Sequence, residues 1–194
     1  MAQIPIKTRR KIDADKLRRA SQAENIEFII FIAGPYIEPD ASKEPTETSA
    51  KLRFHLFQLL KDDGYDVTLG EYRELIDSYK EYFGEYHNAT AAELDHAANS
   101  ASIVIMIPNS PGSFAEIGAF STSEPICQKM IILFNNKYCN EINYINLGPI
   151  KGAKDFGSTV VCVDYEQIEY CLSIVKKFAV KAKQKIFLKK TYQL

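Results

Sequence analysis

The chain has 194 residues, 46% of them hydrophobic and 25% charged, with a formal net charge of −1. This suits one globular domain with its own hydrophobic core and excludes collagen-like or low-complexity architectures. No apolar run approaches the roughly eighteen residues that a bilayer-spanning helix needs. The charged start, MAQIPIKTRRKIDADKLRRA, lacks the apolar stretch of a secretory signal. A cytoplasmic protein without a membrane partner is expected.

The small net charge conceals a segregation: residues 1–19 carry +5, residues 176–194 carry +7, and the body between them −13. Basic arms on an acidic body suit a polyanionic partner, although two solvated amphipathic helices would give the same count. Residues 1–26 read as a basic helical arm and residues 27–194 as the folded domain. Cys127, Cys139, Cys162 and Cys171 show no CxxC spacing and no clustering with the three histidines. Reduced thiols are expected, with no disulfide framework, metal site or cofactor.

The elements follow in order. EFIIFIA at 27–33 is an unalternating apolar run closed by Gly34-Pro35, which reads as a buried parallel strand. The polar stretch EPDASKEPTETS is a loop, and Leu52, Leu56, Phe57, Leu59 and Leu60 predict a helix over 48–62 that stops at Asp63-Gly64. YDVTL at 65–69 is a second strand. Residues 71–88 predict a helix broken near Gly84, and 90–100 another that leads into the strand ASIVIMI at 101–107. Residues 108–113 predict a turn, 114–123 a helix, and KMIILF at 129–134 the fourth strand. A loop through Gly148-Pro149 leads to STVVCV at 158–163, and 165–185 closes the chain as a long helix. The alternation predicts a single doubly wound, Rossmann-like or flavodoxin-like α/β domain with a five-stranded, mostly parallel sheet. Ligands of such sheets bind beyond the carboxyl ends of the strands, where Gly34, Pro35, Tyr36, Glu71 and residues 109–116 fall.

PNSPGSFAEIGAF, residues 108–120, carries the richest chemistry. Ser113 is placed to cap a helix starting at Phe114, and Ser113 with Glu116 matches a capping box in which Glu116 merely reaches back to the backbone. The same spacing would put Glu116 in a first helical turn, held ionised by the helix dipole and able to attack an anomeric carbon. A second acid must then serve the departing base, and Glu93, Asp95 and His96 lie on the preceding helix. The Tyr-rich stretch Tyr72 to Tyr86 reads as core or interface, and His55 as structural.

Gly112-Ser113-Phe114-Ala115-Glu116-Ile117-Gly118 resembles the Gly-Ser/Thr-x-x-Glu-hydrophobic-Gly signature of nucleoside 2-deoxyribosyltransferases and related deoxynucleotide N-hydrolases. Phe31 to Tyr36 is similar to their first strand and Ala-Gly-Pro-aromatic turn, and the likeness covers roughly residues 27–135. The resemblance implies Glu116 as nucleophile, Tyr36 lining the sugar site, and Glu93 or Asp95 as the upstream acid, with Asn109, Gly112 and Ser113 around the substrate. One departure is Asn109-Ser110, where the family often has Asp. SPGSFAEIGAF together with residues 143–150, and Leu69 to Tyr72, resemble more narrowly the deoxyribosyltransferase-like effectors encoded with bacterial retrons. That likeness implies a toxin of phage defence acting on a nucleoside, nucleotide or dinucleotide. It also implies restraint by a reverse transcriptase and its RNA–DNA product, met through the basic termini, and a homo-oligomer. The alternative is a nucleotide-sensing module that uses the Pro-Gly-Ser turn without chemistry.

Overall fold

The computed structural model describes residues 27–84 and 88–192, so the basic arm expected at 1–26 lies outside the described residues. The elements are β1 (Ile29–Ala33), α1 (Thr48–Asp62), β2 (Asp66–Leu69), α2 (Arg73–Phe83), α3 (Ala89–Asp95), β3 (Ile103–Met106), α4 (Pro111–Phe120), α5 (Glu124–Cys127), β4 (Met130–Asn135), α6 (Lys151–Asp155), β5 (Thr159–Val163) and α7 (Ile168–Tyr192). The chain divides into two compact units. The sheet lies in Phe28–Ala182, and the end of α7 from Lys183 belongs to the other.

All five strands pair in parallel in the order β2-β1-β3-β4-β5, as the unbroken apolar runs require of strands covered on both faces. β3 and β4 are buried throughout, whereas β5, at an edge, is partly exposed. Phe31, Ala33, Val104, Met106, Ile132 and Phe134 face one core, filled by Ala97, Ile117, Phe120, Ile126, Ile150 and Ala153. Alternate residues such as Ile30, Ile32, Ile105 and Leu133 point to the opposite face, and are as fully buried as Leu52, Leu56 and Leu60 of α1 and Val175 of α7. The chain leaves β1 toward β2 and returns to β3 on the other side of β1. The strand order therefore reverses between β1 and β3, and a crevice opens beyond their carboxyl ends.

Three expectations are corrected. The helix expected from 114 begins at Pro111. Proline at the first helical position needs no N–H partner, and Ser110 rather than Ser113 is the cap. Residues 146–155, expected as loop, are helical: a π-helical turn, Asn146–Ile150, runs into α6 and buries Pro149, Ile150 and Ala153 against the core. α3 likewise continues as a π-helical turn, His96–Ser100, which places Ala97 in the core. Finally, Cys139 and Cys162 form a disulfide, contrary to the expectation of free thiols; only Cys127 and Cys171 among the described cysteines are free. Their separation of 23 residues hid it, because β4 and β5 are neighbours and the turn after β4 brings Cys139 back beside β5. Among the described residues no helix is long and apolar enough to cross a membrane.

Candidate active site

The crevice starts with a buried arginine. Arg53 lies within the apolar stripe of α1, is 1% exposed, and directs its guanidinium at the end of β1. Its Nη2 donates to the carbonyl of Ile32 at 2.6 Å, and its Nη1 to those of Gly34 and Pro35 at 3.2 and 2.8 Å. Both nitrogens also grip Glu71, just past β2: Nη1 on Oε1, and Nη2 on Oε2 at 2.9 Å. Glu71 Oε1 further accepts the amide of Ile37 at 3.4 Å. Gly34 suits this turn because its φ is +153° and a Cβ there would lie 3.0 Å from the carbonyl oxygen of Ile107.

Two more carboxylates converge on this frame. Glu93, from α3, passes over Gly70 so closely that a Cβ on that glycine would overlap Glu93 Oε1. Glu116, the sixth residue of α4, stands in its second turn. It takes no part in capping: Ser110 Oγ accepts the amide of Ser113 at 3.2 Å, and the first-turn partner reaching back is Ser113 itself. The expectation of a dipole-stabilised, ionised Glu116 is also corrected. Burial, reinforced by the charge of Glu93, pushes its carboxyl up to about 7, with Arg53 opposing, Glu71 adding, and the amide of Gly34 opposing. Glu93 is raised as well, by burial and then by Glu71, against the pull of Arg53. Glu116 Oε2 and Arg53 Nε are buried polar atoms with no hydrogen-bond partner. Buried polar atoms are paired in the great majority of cases, so each exception calls for an explanation.

The other expected residues fall around this cluster. Gly34 and Pro35 form the turn inside it. Tyr36 is 69% exposed, and its hydroxyl donates to Glu38 at 2.9 Å, so the ring stands at the rim. Asp95 is exposed and accepts the amide of Asn99 at 2.6 Å, apart from the carboxylate cluster that includes Glu93. His96 stacks edge-on against Phe31 and meets Thr68 Oγ1 at 2.7 Å. Asn109 donates to Glu47 Oε1 at 3.0 Å and Ser49 Oγ at 3.2 Å, so it joins the start of α1 to the turn after β3. Ser113 is buried and its hydroxyl is fully used, accepting the amides of Asn109 and Ser110 and donating to the carbonyl of Ser110. The turn is thereby closed on itself rather than presenting those amides to a phosphate. Gly112 is exposed, with open space where a Cβ would stand. On the side of β4 a cleft of about 300 Å³ adjoins Asn109, lined by Phe114, Phe134, Tyr138, Glu141 and Asn143.

Sequence reasoning missed Arg53 and Glu47. Arg53 had a readable signal, an arginine in helical phase with Ser49, Leu52, Leu56 and Leu60, where a solvated side chain has no place. Glu47 caps α1 by accepting the amide of Ala50 at 2.8 Å, a role that Glu seldom takes.

An all-parallel α/β sheet with three carboxylates and one buried arginine at its switch point defines a Rossmann-like domain whose crevice is acidic, without a glycine-rich phosphate loop. Residues 49–193 match the STM3845 retron effector protein family, and the chain belongs to that family. It is 36% identical over 80 residues to the "Retron Ec86 putative ribosyltransferase/DNA-binding protein" of Escherichia coli, a match covering 40% of this chain and 26% of that protein. It is 45% identical over 51 residues to the corresponding Retron Ec73 protein of Escherichia coli, covering 26% of this chain and 16% of that one. The matches thus span about a quarter and a sixth of those relatives' lengths.

Proposed function

We propose that this retron effector cleaves the N-glycosidic bond of a nucleoside, nucleotide or dinucleotide, with Glu116 as nucleophile and Glu93 as acid–base partner. The observation that carries the reading is the pairing of Glu93 with a half-buried Glu116 whose buried Oε2 has no partner. The word "ribosyltransferase" in the relatives' names agrees with it. Two carboxylates that repel each other hold one proton between them over the pH range that separates their two titration steps. In the free chain burial and the charge of Glu93 favour that proton on Glu116; once it passes to Glu93, the ionised Glu116 attacks the anomeric carbon while the carbon–nitrogen bond breaks. The bonding pair leaves with the base, whose nitrogen takes the proton of Glu93. Water, or a second base, then displaces Glu116 from the glycosyl ester and returns its proton to Glu93. Tyr36 stands at the rim for the sugar. Glu71 keeps a free lone pair on Oε2 for a sugar hydroxyl even while held by Arg53.

The experiment is to incubate the chain with a panel of nucleosides, nucleotides and dinucleotides and to measure released base. Glu116→Gln should abolish release, and cellular toxicity where toxicity is scored, while the fold persists. Wild-type release by that variant refutes the nucleophile. The words "DNA-binding" in the relatives' names agree with a second role for the basic termini, contact with a retron's RNA–DNA product and its reverse transcriptase.

A further inference from the structure

Among the described residues, Arg53 is the one charged side chain that is fully buried. A buried guanidinium is retained only where partners replace its water, and here those partners come from separate places in the fold. Ile32, Gly34 and Pro35 belong to the end of β1, and Glu71 to the segment after β2. β1 and β2 are neighbours, and between their carboxyl ends the guanidinium is the main tie, supplemented by the long hydrogen bond from the Ile37 amide to Glu71. It also supplies the single cation against three carboxylates: Glu71 from the β2 end, Glu93 from α3 and Glu116 from α4.

We propose that Arg53 is a positioning residue: by joining the Gly34–Pro35 turn to Glu71, its planar fork fixes the surface against which Glu93 and Glu116 meet. It acts through those groups and does not touch the substrate. The role rests on the reading of Glu116 and Glu93 as nucleophile and acid, because only there does their relative placement matter for turnover. The electrostatics agree with the geometry, since Arg53 opposes the rise of both carboxyls whereas Glu71 adds to it. A lysine would keep the charge as a compact point without the planar two-pronged grip, so the fork and the charge can be separated experimentally.

The test titrates the Glu116 side-chain carboxyl by carbon-13 NMR in the full chain, as wild type, Arg53→Lys, Arg53→Met and Glu71→Gln. The midpoint should rise by about one pH unit in Arg53→Met, rise less in Arg53→Lys, and fall in Glu71→Gln. In Arg53→Lys the kcat for base release should fall more than tenfold with KM little changed, because alignment rather than substrate binding is lost. If Arg53 serves only the fold, the variants lose thermal stability while the Glu116 midpoint stays at the wild-type value, and the proposal is overturned. Should Arg53→Met fail to fold, the opposite shifts expected of Arg53→Lys and Glu71→Gln still decide. The NMR readout requires no turnover. Shifted midpoints in a chain that releases no base from any substrate would therefore refute the glycosidic reading alone.

Discussion

Glu116→Gln should make the protein more stable, and the gain should grow with pH. In the folded chain the carboxyl titrates near 7, raised by burial and by Glu93 from an ordinary 4.5. Well below pH 4.5 the group is protonated in the folded and unfolded chains alike, and its ionisation has no bearing on stability. As pH rises, the unfolded chain releases its proton first, so unfolding becomes easier until the folded group is also ionised above about 7. At about 1.4 kcal/mol per pKa unit, the separation between 4.5 and about 7 is worth about 3 kcal/mol. Glutamine has the same shape without the charge, so its stability relative to wild type should improve by about 3 kcal/mol between pH 4 and pH 8.5. The assay is urea unfolding of both proteins at several pH values, with the slope against denaturant checked for constancy. Any pH-independent effect of the amide cancels in the comparison. A difference that stays flat to within about 0.5 kcal/mol over this range would show that Glu116 is not held in a desolvating, like-charged environment. A pure capping role predicts no such gain with pH, because glutamine serves a capping box as well as glutamate does.

Three further outcomes are expected. Base release should follow a bell in pH whose upper limb falls above about 7, because the Glu93–Glu116 pair then loses the proton that the leaving base needs; release that keeps rising to pH 9 excludes Glu93 as the acid. Gly70→Ala should displace the Glu93 carboxylate, since the new Cβ overlaps Oε1 while the backbone there is not at positive φ. Its stability should change by less than about 1 kcal/mol while base release falls about 100-fold, and full activity would remove Glu93 from the site. Affinity for a DNA–RNA hybrid should fall linearly with salt on a log–log plot. Glutamine at Lys176, Lys177, Lys181, Lys183, Lys185, Lys189 and Lys190 should flatten that slope, by about 0.9 for each phosphate no longer neutralised; an unchanged slope leaves those lysines as solvated surface.

The sheet was legible because β1, β3 and β4 are short apolar runs buried on both faces, while the edge strands β2 and β5 are short β-branched segments bounded by turn signals. What escaped was local and compensated. Residues 146–155 read as loop because Gly148-Pro149 is ordinarily a breaker. Here Pro149 sits in a widened π turn, which relaxes the demand for a regular hydrogen-bond ladder, and its burial with Ile150 and Ala153 offsets the poor helical propensity. The start of α4 reads three residues late for the opposite reason. Ser110 and Ser113 are both competent caps, and the sequence alone does not reveal that Pro111 lies at the first helical position, where its missing N–H costs nothing.

That three-residue difference decides how Glu116 is read. At the third helical position a glutamate reaches back to the cap, sits in the field of the helix N-terminus, and is stabilised as an anion. At the sixth position it is beyond that field and out of reach of the cap, and here it points into the crevice beside Glu93 with one oxygen unpartnered. The spacing in the sequence singled out the residue but placed it in the wrong turn of the helix. Arg53 was missed for a related reason: a single charged residue on an amphipathic helix is usually solvent-facing, and only its phase with Leu52 and Leu56 indicates otherwise. The acidic cluster therefore depends on a group outside the recognisable motif. An arginine inside an apolar stripe implies a carboxylate close by, and Glu71 beyond β2 meets that requirement with both oxygens.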